Sequence, residues 1–119
     1  MEKVRVSFEE SAFIVEVEGK KLRVSYKQAE LPFKEAQEFC KENGGGDETV
    51  ENLRLLSKYR DQINEQLREN GRAELSGWYW SNEESWGYSN TAFVVRAAFG
   101  YVISGSMFNY SSVRAVSAL

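Results

Sequence analysis

Few residues in this chain are of the kinds that carry out chemistry, and their spacing narrows the choice further. Asn82-Glu83-Glu84 offers oxygen donors of the sort calcium takes. Adjacent carboxylates on a strand point to opposite faces, however, and no acidic residue follows Glu84. The pair therefore reads as a solvated or capping pair. Asp47-Glu48 reads as a charge pair at a helix N-terminus. Gly44-Gly45-Gly46 lacks the strand-to-helix spacing and the Lys-Ser/Thr of a phosphate loop. Histidine is absent, which removes Ser-His and Cys-His nucleophiles and His-ligated zinc. Cys40 is the single cysteine, so no intrachain disulfide forms, and it reads as a small buried hydrophobe on a helix. No nucleophile is matched with a base. The expectation is a protein that is not an enzyme, with no catalytic residues, no metal and no cofactor.

Binding chemistry is better represented. The 84 residues up to Glu84 hold all 18 acidic and 13 of the 15 basic residues, while 85–119 hold only Arg96 and Arg114. Between Gly87 and Ser112, 13 of 26 positions are Gly, Tyr, Ser or Asn, interleaved with Phe, Val, Ile and Ala. Antibody loops use this mixture: Tyr gives amphipathic area at low entropy cost, and Ser, Gly and Asn give adaptable hydrogen bonds. The net charge of −3 leaves no basic stripe of the kind phosphate-dominated binding requires, so nucleic acid is not an expected partner. No apolar run approaches membrane-spanning length, so membrane insertion is not expected. Met1-Glu2-Lys3-Val4-Arg5 has no apolar core of a signal peptide.

The elements that position this segment follow from periodicity. At 119 residues the expectation is one domain with its own core. Val4–Phe8, Ala12–Val17 and Leu22–Tyr26 alternate as half-buried strands do, with a turn at Glu18-Gly19-Lys20-Lys21. Pro32 suits the first turn of a helix carrying Phe33, Ala36, Phe39 and Cys40, which the three glycines end. Thr49 caps a second helix whose stripe is Leu53, Leu56, Ile63 and Leu67, ended by Asn70-Gly71. Trp78-Tyr79-Trp80 then opens a strand-rich and loop-rich region. Phe93, Val95 and Ala97 alternate with Val94, Arg96 and Ala98, which predicts one set inward and the other outward. Val113–Leu119 reads as a last short strand. The order is α+β, with helices segregated from an antiparallel sheet.

Several segments together resemble a known family: Trp78-Tyr79-Trp80-Ser81-Asn82-Glu83-Glu84, Ala92-Phe93 with Val95, Gly100-Tyr101-Val102, and the tail Val113-Arg114-Ala115-Val116-Ser117-Ala118-Leu119. They look like the C-terminal part of the variable proteins that retroelements diversify in gut bacteria and their phages. Pro32-Phe33-Lys34-Glu35-Ala36 and Thr49-Val50-Glu51-Asn52-Leu53-Arg54-Leu55-Leu56 resemble the two helices of those proteins, so the resemblance spans 31–119. It implies a C-type lectin-like fold: two helices packed on a small antiparallel sheet with a long loop-rich C-terminal region. Residues 1–30 would be N-terminal strands, 31–84 the helical scaffold and aromatic cluster, and 85–119 the variable region. The Glu-Pro-Asn, Gln-Pro-Asp and Trp-Asn-Asp motifs of calcium-dependent sugar binding are absent, so the fold is implied without the sugar.

In such systems, adenines of an RNA template are miscopied, and Asn-type codons become many residues but not Lys, Glu, Gln, Trp or Met. Positions 87–112 contain none of the first four; Met107 is the single exception, falls where related proteins often carry a template Lys, and is one adenine change from a Lys codon. The resemblance implies Phe93, Val95 and Val102 as scaffold. It implies Tyr88, Ser89, Asn90, Val94, Arg96, Ala98, Phe99, Tyr101, Ile103, Ser104, Ser106, Phe108, Asn109, Tyr110 and Ser111 as displayed ligand-binding positions. The partner would be a protein or glycan on a target cell, and the setting a virion or cell surface. Two alternatives stay open: a structural subunit of a virion or pilus, and an enzyme on a fold like that of formylglycine-generating oxidases.

Overall fold

The computed structural model describes residues 3–86 and 89–119. The chain runs β1 (Arg5–Phe8), β2 (Ala12–Val17), β3 (Lys20–Ser25), β4 (Ala29–Leu31), α1 (Phe33–Glu42), α2 (Val50–Lys58), α3 (Arg60–Glu69), β5 (Trp78–Glu84), β6 (Thr91–Arg96), β7 (Val102–Ser106), β8 (Ser111–Val113) and β9 (Val116–Ala118). Two open sheets result, ordered β1-β2-β3-β9 and β4-β8-β5-β6-β7. The class is α+β, but the expected two helices on one small antiparallel sheet are corrected to three helices and two sheets among the described residues. The second sheet also contains a parallel pair, β5 with β8.

Local chemistry accounts for most of the element ends. Glu18 and Gly19 both take left-handed backbone, the form a two-residue hairpin loop needs between Val17 and Lys20. The Thr49 hydroxyl accepts the Asn52 N–H and caps α2. The single stripe from Leu53 to Leu67 predicts one helix; the structure breaks it at Tyr59. The Tyr59 hydroxyl donates to the Glu18 carboxylate on the β2–β3 turn, a tertiary bond that helical periodicity cannot reveal. In β5, Ser81, Asn82 and Glu83 together oppose one residue of β6, a bulge. Ser81 fills it: its hydroxyl donates to the Phe93 carbonyl at 2.8 Å and accepts the Glu83 N–H at 3.1 Å.

Two apolar clusters cover opposite faces of the five-stranded sheet. The larger joins Phe13, Val15, Leu22 and Val24 to the α2–α3 stripe and to Tyr79 and Val95. The smaller packs Phe33, Ala36 and Cys40 of α1 against Trp80, Ala92, Val94 and Val113. Within it, Phe33 meets Trp80 edge-on at 5.5 Å, and Trp80 Nε1 donates to the Leu31 carbonyl at 2.8 Å.

Val113-Arg114-Ala115-Val116 is buried throughout and carries the chain from one sheet to the other. Arg114 Nε donates to Gln28 Oε1 at 2.9 Å, and its terminal nitrogens donate to the Ser25, Ala73 and Glu74 carbonyls. Glu48 is buried beside this crossing, and its carboxylate accepts the Gly46 and Val116 N–H groups at 2.9 and 2.7 Å. Gly45 has to be glycine here, because a Cβ would sit 2.2 Å from Glu48 Oε2. Asp47-Glu48, expected as a charge pair serving a helix N-terminus, is thus corrected to a clamp on the C-terminal strand. Asp47 Oδ2 completes it by accepting the Ala118 N–H.

Candidate functional site

The residues with chemical potential are mostly used structurally. Glu83 Oε2 accepts the Val50 N–H at the start of α2, and Asn82 Nδ2 donates to the Gly46 carbonyl, so this pair caps and ties. Among the described residues no group of His, Cys, Asp and Glu could hold a metal ion. Cys40 is buried, and its thiol is pushed far up, first by burial and then by the nearby Glu48 carboxylate. A thiol so held stays protonated and is a poor nucleophile. Among the described residues no helix is long and apolar enough to cross a membrane.

The exposed apolar side chains sit elsewhere. Phe99, Tyr101, Ile103, Phe108 and Tyr110 are between 50% and 80% exposed. They occupy the β6–β7 hairpin and the loop after β7. Phe99 carries left-handed backbone, uncommon for a bulky residue, and its ring leans on Tyr101 at 6.0 Å between centroids. The Ser57 hydroxyl of α2 donates to the Ala97 carbonyl at 2.7 Å and anchors the hairpin tip. Asn90 also takes left-handed backbone, and its carbonyl accepts the Met107 N–H at 2.8 Å. The Ser106 carbonyl accepts the Asn109 N–H, and its hydroxyl accepts the Phe108 N–H, which shapes the second loop.

Between the hairpin and this loop lies a groove of about 390 Å³. Trp80, Val94 and Gly105 line it, together with Trp78, Ile103, Asn109, Tyr110 and Ser111. A Cβ on Gly105 would rest 3.5 Å from Trp80 Cη2 and 3.8 Å from Val94 Cγ1, so the bare glycine keeps the space over the indole open. Arg96 flanks Trp78, its guanidinium 6.0 Å from the ring centroid.

The expected positions therefore divide. Ser89, Asn90, Arg96, Phe99, Tyr101, Ile103, Ser104, Phe108, Asn109 and Tyr110 are exposed. Ala98, Ser106 and Ser111 are half-buried. Tyr88 lies outside the described residues. Val94, expected to be displayed, is corrected to a core residue at 4% exposure. Phe93 of the expected inward set is only half-buried. The inward-outward rule fails at Val94 because both faces of β6 are covered there, one cluster on each side.

Sequence reasoning missed two residues beside this groove, Trp78 and Gly105, and one on the Phe93 side of β6. Trp86 is 86% exposed and meets Phe93 edge-on at 6.1 Å. It falls just outside 87–112. Trp78 is half-buried, packed against the smaller cluster and lining the groove. Gly105, a glycine inside a strand, carries a readable signal, since such residues mark a close approach or an open site. No family model matches the chain, and no curated protein matches it.

Proposed function

We propose that this protein is a non-catalytic recognition protein that presents residues 89–111 to a protein or glycan on a target cell. The observation that carries this reading is the exposure of Phe99, Tyr101, Ile103, Phe108 and Tyr110 on the β6–β7 hairpin and the loop after it, over a buried scaffold, with Arg96 the one charged residue of 89–111. Exposed aromatics grouped in this way mark a binding site, because isolated they only lower solubility. Affinity would come from a few such anchors, with the groove over Trp80 accepting one apolar group of the ligand. The resemblance to retroelement-diversified variable proteins supplies the origin of the surface: positions that tolerate change because they face solvent.

The test is selection from a random-peptide display library and a glycan array, followed by the double variant F108A/Y110A. Binding should fall at least about 30-fold, the equivalent of one anchor of about 2 kcal/mol. Unfolding free energy should change by less than about 0.5 kcal/mol. A large loss of stability with binding kept would reverse the reading. In the gene, a nearby repeat differing only at adenines, beside a reverse transcriptase, would support the diversified origin. Mismatches spread over all four bases would refute it.

A further inference from the structure

A second cavity, of about 540 Å³, lies between α2 and the hairpin tip, away from the groove over Trp80. Its charges are nearly balanced. Lys20 pairs with Glu51 at 2.7 Å, Lys58 with Glu18 at 2.7 Å, and Arg60 with Asp61 at 3.1 Å. Arg54, on the exposed face of α2, is the remaining cation of this cavity and has no ion pair among the described residues. It sits against the hairpin tip: a Cβ on Gly100 would be 3.9 Å from Arg54 Nε and 3.3 Å from Ser57 Oγ. Phe99, the residue before Gly100, lines the same cavity as Arg54. Each acid there is already taken, so the site has one positive charge to offer and an apolar ring next to it.

We infer that this cleft takes a carboxylate side chain of a protein ligand, an Asp or Glu adjoining an apolar residue, with Arg54 pairing to the acid and Phe99 to the apolar neighbour. The inference rests on the displayed-surface reading and names one class of ligand within it. Guanidinium–carboxylate pairing is directional and can be bidentate, so it selects an acid over an amide of the same shape. An exposed pair adds little affinity alone. Beside an aromatic ring that excludes water, the same pair is worth more, and it sets which ligands are accepted.

The experiment uses random twelve-residue peptides displayed on phage and selected on the full chain. Selected peptides are then synthesised with each acid and with its amide counterpart, and dissociation constants are measured on the wild type, R54Q and F99A. The expected result is enrichment of an acid next to an apolar residue. The acid-to-amide change should weaken binding about tenfold on the wild type and less than twofold on R54Q. F99A should weaken both peptides alike. Selected peptides that bind the displayed surface with no acid preference, or an acid effect that persists in R54Q, overturn the inference while leaving the displayed-surface reading intact. If F99A and F108A/Y110A each leave every selected peptide bound, that reading fails too. Arg54 is exposed, so R54Q should keep the wild-type melting temperature, and the comparison is one of folded proteins.

Discussion

At the scale of single residues, the two arginines after Glu84 illustrate how one residue type takes opposite roles. Arg96 is exposed beside Trp78, while Arg114 is buried and bonded to Gln28 and three backbone carbonyls. A guanidinium suits the second setting because its five donors form a rigid fork and it is weakly hydrated for a cation. Replacing Arg114 with Met would leave those acceptors unpaired at the crossing between the sheets. R114M should lose about 3 kcal/mol, as leaving buried acceptors unpaired does, read from urea unfolding. The strand character of the tail containing it was legible from its apolar residues. Its burial was not, since a charged residue is rarely fully buried unless its acceptors are supplied by distant parts of the chain.

At the scale of elements, the hairpin β6–β7 and the loop that follows present the surface, and Gly105 sets the depth of the groove between them. A Cβ there meets Trp80 and Val94 at ordinary contact distance, so a side chain can start from this position and extend into the groove. G105L should therefore fill the groove and abolish binding of any ligand that enters it. Stability should stay the same or rise slightly, since glycine inside a strand is unfavourable. Thermal unfolding and the binding assay together check this. The strands β1, β2 and β3 were readable from alternation because each has one covered face. β6 was misread because its neighbours cover both faces. The break between α2 and α3 falls at Tyr59 inside one continuous apolar stripe, where periodicity gives no sign of it, and the Tyr59 hydroxyl bonds Glu18, distant in sequence.

At the scale of the whole molecule, the two sheets and the helices are held together by contacts between remote segments. Glu18 is one junction: on the β2–β3 turn, it accepts from Lys58 at 2.7 Å and from the Tyr59 hydroxyl. The hydrogen bond from Lys58, followed by that from Tyr59, holds its carboxyl below the ordinary carboxylate range. A depressed folded-state pKa means the stabilisation is complete above the unfolded value and is lost as pH falls through the folded one. Between about pH 5 and about pH 3, the melting temperature of the wild type should therefore fall more steeply than that of E18Q. Parallel curves would show that the junction contributes nothing. Both clusters also carry the displayed loops. Ser57 on α2 fixes the hairpin tip, and the Met107 carbonyl accepts the Phe33 N–H at the start of α1.

The sequence by itself determined the chemistry available. It excluded histidine catalysis and a disulfide framework, and it placed a Tyr-, Ser-, Gly- and Asn-rich segment with no acidic residue after Glu84. Those conclusions depend on which residues are present and on short-range periodicity, both of which a linear string carries. Only the tertiary structure decided which of them face solvent. Exposure depends on what packs above each residue, and the packing partners of Val94, Arg114 and Gly105 come from segments far away in the chain.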